Sequence, residues 1–139
     1  MQQHIVNTEW KGDLTFDSVA NDHHVVMDVM PERGGSDQGP RPKVLLLSAL
    51  AGCTGMDVIP ILKKMKVVPE SLNIEVTADL SEEYPKHYTH MHIIYKFKGK
   101  DLPMDKLEKA VALSEEKYCA VSFMLKKAME ITYEILVKE

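Results

Sequence analysis

The clearest pattern in the chain is a strict alternation. Leu72, Ile74, Val76, Ala78 and Leu80 are apolar, and Asn73, Glu75, Thr77 and Asp79 between them are polar. A period of two predicts a strand with one buried face. The run "YTHMHIIYKFKG" follows, with Met91, Ile93, Tyr95 and Phe97 on its inner face, and reads as the hairpin partner. The connection, roughly Ser81 to His87, is charged and holds Pro85. The end of the chain alternates again. Ile131, Tyr133, Ile135 and Val137 oppose Thr132, Glu134, Leu136 and Lys138, which predicts a closing strand. In the first third the runs are shorter. "HIVNTEW" and "DLTFDSVA" flank a tight turn at Lys11-Gly12, and "DHHVVMDVM" adds a third strand, so residues 3–30 read as a small antiparallel meander.

Elsewhere the pattern is helical. "PERGGSDQGPRP", residues 31–42, is a glycine- and proline-rich loop. Pro42 suits a helix start, where its missing N–H is not needed. The chain then reads as helix from Lys43 to about Lys66. Val44 to Cys53 is apolar on almost every side, broken only by Ser48. Such a helix is buried all round, either at the centre of the domain or shared with a partner subunit. Pro60 is expected to kink or restart it. Gly52 and Gly55 flank Cys53 and Thr54 and let other groups approach closely. A second helix is predicted over 103–117, with Leu107, Ala110, Val111 and Ser114 inward, and a shorter one from Cys119 to Met129. The order βββ–α–ββ–αα–β segregates strands from helices, which argues α+β.

At 139 residues the chain is expected to form one domain, 1–139. It comprises the meander over 3–30, the central helix over 43–66 and a ββααβ unit over 72–138. A formal charge of −4 with no basic stripe argues against nucleic acid as a partner. The start, "MQQHIVNTEWKGD", lacks a basic head followed by an apolar run, so no signal peptide is expected. No segment reads as long and apolar enough to span a bilayer. A cytoplasmic location follows as the expectation, and there thiols stay reduced.

Composition then narrows the chemistry. There are two cysteines, Cys53 in "LLLSALAGCTGMDV" and Cys119 in "EEKYCAVSFMLKKA". In a reducing compartment such a pair is inert and buried, metal-binding or redox-active. Cys119 stands at a predicted helix start, where backbone amides would lower its pKa. Asp57, one turn after Cys53, is an unusual group on so apolar a helix and needs a buried partner or a wet cavity. Of the histidines in "HYTHMHII", His90 and His92 point the same way and with a third ligand would form a metal pair. Ile94, Lys96 and Lys98 continue that face and mark it as solvated, so no metal site is assigned. His87 lies in the preceding loop, and His23 and His24 point to opposite faces. Nine methionines, among them Met56, Met65, Met91, Met104, Met124 and Met129, fill the core or line an apolar pocket. "SEEK", Ser114 to Lys117, reads as a solvated helix end, with Glu115 or Glu116 as a proton carrier for Cys119 in the sharper reading.

"LLLSALAGCTGMDV" together with "YCAVS" resembles the OsmC/Ohr family, the osmotically inducible and organic hydroperoxide resistance proteins. That family carries one cysteine on a long central helix and a second opening a later helix, typically as Cys-Pro-Val-Ser; here Ala120 replaces the proline. The resemblance implies an OsmC-like fold, with antiparallel sheets around a long central helix in an intertwined homodimer. It implies a thiol-dependent peroxidase without a cofactor. Cys53 would attack an organic hydroperoxide or hydrogen peroxide, Cys119 would resolve the sulfenic acid, and a dithiol reductant, lipoyl-type or another thiol, would restore the pair. The better-known members pair the thiol with an arginine from the first strands and a glutamate near the central helix start. This chain has two arginines, Arg33 and Arg41, both in or beside the glycine-rich loop, and Lys43 and Val44 stand at the glutamate's place. Arg41, Lys43 or Lys11 would supply the cation, with Asp57 and Glu115 in support and Thr54, like Asp57, tuning or bracing the site. This places the chain nearer the OsmC-like branch. The alternative is a non-catalytic protein of the same fold that binds a small lipophilic ligand at the dimer interface.

Overall fold

The computed structural model describes residues 1–139. The chain forms two compact units, Met1–Leu46 and Leu47–Glu139. In the first, β1 (Asn7–Trp10), β2 (Phe16–Ala20) and β3 (His23–Met27) make the predicted antiparallel meander. Asn21 and Asp22 both hold positive φ, 52° and 63°, which a two-residue hairpin with the right twist requires. The turn at Lys11-Gly12 closes with the Lys11 N–H on the Thr15 carbonyl at 2.8 Å.

The glycine-rich loop is bound down onto β3. A side chain on Gly35 or Gly39 would collide with the Val29 or Val26 carbonyl oxygen, so the backbone approaches as only glycine permits. Asp28 organises the loop. Its carboxylate, 1% exposed, accepts from Thr15 Oγ1 at 2.7 Å and from the Val29, Ser36 and Gln38 amides. Chiefly the Thr15 hydroxyl, helped by those amides and opposed by burial, holds its pKa at about 2.

The second unit is a sheet with helices packed on its inner face. α1 spans Leu45–Lys64, and the sheet holds β4 (Ser71–Leu80), β5 (Tyr88–Lys98) and β6 (Glu130–Lys138) in that order. β4 and β5 pair as the predicted hairpin, with Val76 opposite Ile93. Met91, Ile93, Tyr95 and Phe97 form the buried face, as their alternation predicts. The expectation of purely antiparallel sheets needs one correction. β6 runs parallel to β5, because α2 (Met104–Leu113) and α3 (Ala120–Leu125) lie between them as a crossover. The predicted stripe of α2, Leu107, Ala110, Val111 and Ser114, is fully buried.

α1 departs from its reading in three ways. It runs unbroken through Pro60. In the single chain only Leu50, Thr54, Val58 and Leu62 are buried, a stripe of i, i+4 spacing rather than the whole circumference. Met56 is 78% exposed and Ile59 43%. Its length and composition would also suffice to cross a bilayer, which the sequence reading did not expect, but the core of the second unit takes its buried stripe. The methionines divide: Met91 is fully buried, whereas Met56, Met104 and Met124 are exposed.

Candidate active site: two thiols and a line of buried hydroxyls

Helix periodicity assembles the α1 half of the site. Cys53 and Asp57 are four residues apart and share a face, one position before the buried Thr54 and Val58. The other half comes from the end of α2. There the helix widens into a π turn, Ser114–Tyr118, closed by the Cys119 N–H on the Ser114 carbonyl at 2.8 Å. The extra residue in that turn buries Ser114, Glu115 and Cys119 together and leaves Glu116, Lys117 and Tyr118 outside. "SEEK" is therefore only half solvated: Ser114 is fully buried and Glu115 is 5% exposed.

The two halves meet. Cys53 Sγ, Cys119 Sγ and a carboxylate oxygen of Asp57 all lie within 4.8 Å of one another. Both thiols are free, Cys53 half-buried and Cys119 3% exposed. Cys119 caps α3, its sulfur accepting from the Ser122 N–H at 3.4 Å. That amide acts in the expected downward direction, but burial outweighs it. Contact with Cys53 and the charge of Glu115 add to burial, and the Cys119 pKa is pushed up to about 12. The expected lowering at the helix start is thus reversed by desolvation. Two thiols and a carboxylate are one donor short of a closed structural zinc site. No histidine joins them. His90 and His92 both contact Thr132 Oγ1, at 3.2 and 2.7 Å, and His87 contacts Ser81 and the Pro85 carbonyl.

Behind the thiols runs a chain of polar contacts through the core. Ser114 Oγ donates to Asp57 Oδ2 at 2.9 Å. Thr54 Oγ1 lies 2.7 Å from Ser114 Oγ and 2.7 Å from the Tyr95 hydroxyl. Tyr95 donates to Glu115 Oε1 at 2.9 Å, and Ser122 Oγ donates to Glu115 Oε2 at 3.0 Å. Lys126 Nζ donates to the Glu115 carbonyl at 2.7 Å and stands 3.7 Å from Oε2. Burial, and after it the Glu115 charge, push the Tyr95 pKa upward, so it remains a phenol.

Of the residues singled out in the sequence, Cys53, Cys119, Asp57, Thr54 and Glu115 come together here. Arg41, Lys43 and Lys11 lie in the first unit. Arg41 there pairs with Asp37 at 2.7 Å and Lys11 with Glu9 at 3.3 Å. Tyr95, Ser114, Ser122 and Lys126 were not assigned to the site. Tyr95 and Ser114 were legible as hydroxyls on otherwise apolar faces, and a buried hydroxyl needs a partner.

The family model for OsmC-like protein matches residues 35–134. The chain belongs to the OsmC-like family. Protein YhfA of Escherichia coli K12 is 35% identical over 131 residues, covering 92% of this chain and 95% of its own. The crystal structure of a hypothetical protein from Aquifex aeolicus VF5 is 32% identical, covers 100% of each chain and superposes with a TM-score of 0.83. The organic hydroperoxide resistance protein OhrB of Bacillus subtilis, 18% identical, shares the fold with a TM-score of 0.63 over 96% of this chain and 98% of its own. The OsmC-like fold was thus readable from the two motifs.

Proposed function

We propose that this OsmC-like protein is a cysteine-dependent peroxidase that reduces organic hydroperoxides or hydrogen peroxide in defence against oxidative stress. The observation that carries this reading is the meeting of Cys53 and Cys119 within 4.8 Å. Membership of a fold family that includes hydroperoxide resistance proteins supports it. Cys53 is the more accessible thiol and attacks first. Its sulfur bonds to the terminal peroxide oxygen, the O–O bond breaks, and the alkoxide leaves as alcohol after taking a proton. Cys119 then attacks the Cys53 sulfenic acid. The S–S bond forms, the S–O bond breaks, and hydroxide leaves with the Cys119 proton as water. An external dithiol, lipoyl-type or another thiol, reduces the disulfide by exchange. Continuous consumption of cumene hydroperoxide with dihydrolipoamide as reductant tests the cycle. Turnover is the expected result, and its absence with both thiols intact contradicts the reading.

A homodimer belongs to the same proposal. Ala51, Gly52, Met56, Ile59, Val68 and Leu72 line an open groove of about 1000 Å³, and Val68 is 80% exposed. An apolar surface of this kind on α1 suits a second subunit. Met56→Glu places a charge in it. Sedimentation velocity is expected to give a dimer for wild type and a lighter species for the variant; a monomeric wild type contradicts the proposal. The same groove supports a second reading, a lipophilic ligand held at the interface with the thiols uninvolved. Mass spectrometry of the native protein for a retained apolar ligand separates the two.

A further inference from the structure

The two thiols and Asp57 are also a set of metal donors. Cys53 Sγ, Cys119 Sγ and a carboxylate oxygen of Asp57 lie within 4.8 Å of one another. Each is placed by its backbone. Cys53 and Asp57 stand one turn apart on the same face of α1. Cys119 is the N-cap of α3, its sulfur accepting from the Ser122 N–H and its own N–H tied to the Ser114 carbonyl. A tetrahedral zinc ion, with bonds of about 2.3 Å to sulfur and about 2.0 Å to oxygen, sets its ligands about 3.5–3.8 Å apart. Small side-chain rotations bring the three donors to that spacing.

The surroundings suit a cation. Ser114 Oγ donates to Asp57 Oδ2 at 2.9 Å and orients the carboxylate, and Thr54 Oγ1 holds Ser114 in turn at 2.7 Å. Hydrogen-bonded support of this kind fixes ligating carboxylates in metal sites. The charge of Glu115 also acts on Cys119, and Lys126, 3.7 Å from Glu115 Oε2, answers that carboxylate. Two adjoining thiolates beside Asp57 carry three negative charges. A bound dication lets both sulfurs be anionic side by side.

We infer that Cys53, Cys119 and Asp57 form an open binding site for Zn(II), and that zinc held there blocks the thiol pair until it is removed. The donors select the metal. Magnesium and calcium take oxygen ligands, and two of these three are sulfur. Copper(I) favours soft ligands throughout, whereas zinc accepts sulfur and carboxylate oxygen together. Three protein ligands leave the fourth position to water, as in open zinc sites rather than closed structural ones. Cys53 is half-buried and gives the ion its way in. On binding, two Zn–S bonds replace two S–H bonds and both protons go to solvent. The zinc site stands without the peroxidase reading; the blockade rests on it. There the ion occupies the space a peroxide must reach and shares the sulfur electron pair that attacks it.

The test is titration of the reduced full-length protein, first with Co(II) and then with Zn(II) against a chromophoric chelator. Co(II) is expected to give near-ultraviolet thiolate-to-cobalt absorption and the intense visible bands of a tetrahedral ion, both removed by one equivalent of Zn(II). Losing a group that orients a ligand costs metal affinity about 10- to 100-fold. Ser114→Ala is expected within that range, and Asp57→Asn, Cys53→Ser and Cys119→Ser at or above its upper end. Absence of the thiolate absorption in wild type, or zinc affinity unchanged in both Asp57→Asn and Cys119→Ser, overturns the inference. The wild-type cobalt spectrum needs no variant, so the test is decided even where a substitution fails to fold. Zinc-loaded protein is expected to lose the reaction of Cys53 with cumene hydroperoxide and to regain it with EDTA. Undiminished reaction in the zinc-loaded protein overturns the blockade. Zinc binding as expected in a protein that reduces no hydroperoxide even when metal-free leaves the site standing and overturns only the peroxidase reading.

Discussion

Cys53→Ser is expected to abolish hydroperoxide reduction, leaving the rate of buffer alone. The serine hydroxyl is a far weaker nucleophile than a thiolate, and no other thiol reaches the peroxide, because Cys119 is 3% exposed. Cys119→Ser is expected to fail differently. Cys53 still reacts once, the oxidation halts at a sulfenic acid that dimedone traps, and dithiol-driven turnover is lost. The substitution keeps α3 intact, since serine is a good N-cap and its hydroxyl can accept the Ser122 amide as the sulfur does. Loss of sulfenic acid in Cys119→Ser, or retention of peroxidase activity in Cys53→Ser, reverses the two roles.

The second large effect concerns the silent thiol. In the native protein at pH 8, iodoacetamide is expected to modify Cys53 and leave Cys119 unmodified, with a rate ratio of roughly 100-fold or more. The thiolate is the reacting form, and a pKa pushed from 9.0 to about 12 leaves little of it. Burial, the leading cause of that shift, also blocks access. The same shift fixes a stability trend. The folded state holds the Cys119 proton more tightly than the unfolded chain does, so its contribution is fully present below pH 9. It falls away as pH rises from 9 toward 12. Denaturant midpoints measured across that window are expected to drop more for wild type than for Cys119→Ser. Equal alkylation of the two cysteines contradicts this ordering.

Much of this structure was legible in the sequence because period and punctuation are local. The alternation in Leu72–Leu80 and Met91–Phe97 gave the hairpin and its buried face, and the stripe Leu107, Ala110, Val111 and Ser114 gave α2 its orientation. Cys53 and Cys119 stood out by their flanking motifs, and Asp57 by its odd position on an apolar helix. What was not legible depends on partners far along the chain. Thr54 meets Tyr95 and Ser114 at separations of 41 and 60 residues, which no local pattern encodes. The π turn at Ser114–Tyr118 depends on i, i+5 pairing such as the Cys119 N–H on the Ser114 carbonyl, and without it Glu115 reads as solvent-facing. The direction of the Cys119 shift was misread for the same reason, since helix-start amides are visible in a sequence and burial is not. The parallel pairing of β6 with β5 likewise follows from where the α2–α3 crossover returns the chain.

Cys53 and Cys119 are expected to act as one redox pair. One equivalent of cumene hydroperoxide added to the reduced protein, followed by free-thiol titration and intact mass, tests it most directly. The predicted result is loss of both thiols and of two hydrogens from the mass of a single chain, restored by a dithiol. Two free thiols and an unchanged mass, with the peroxide still present, contradict it.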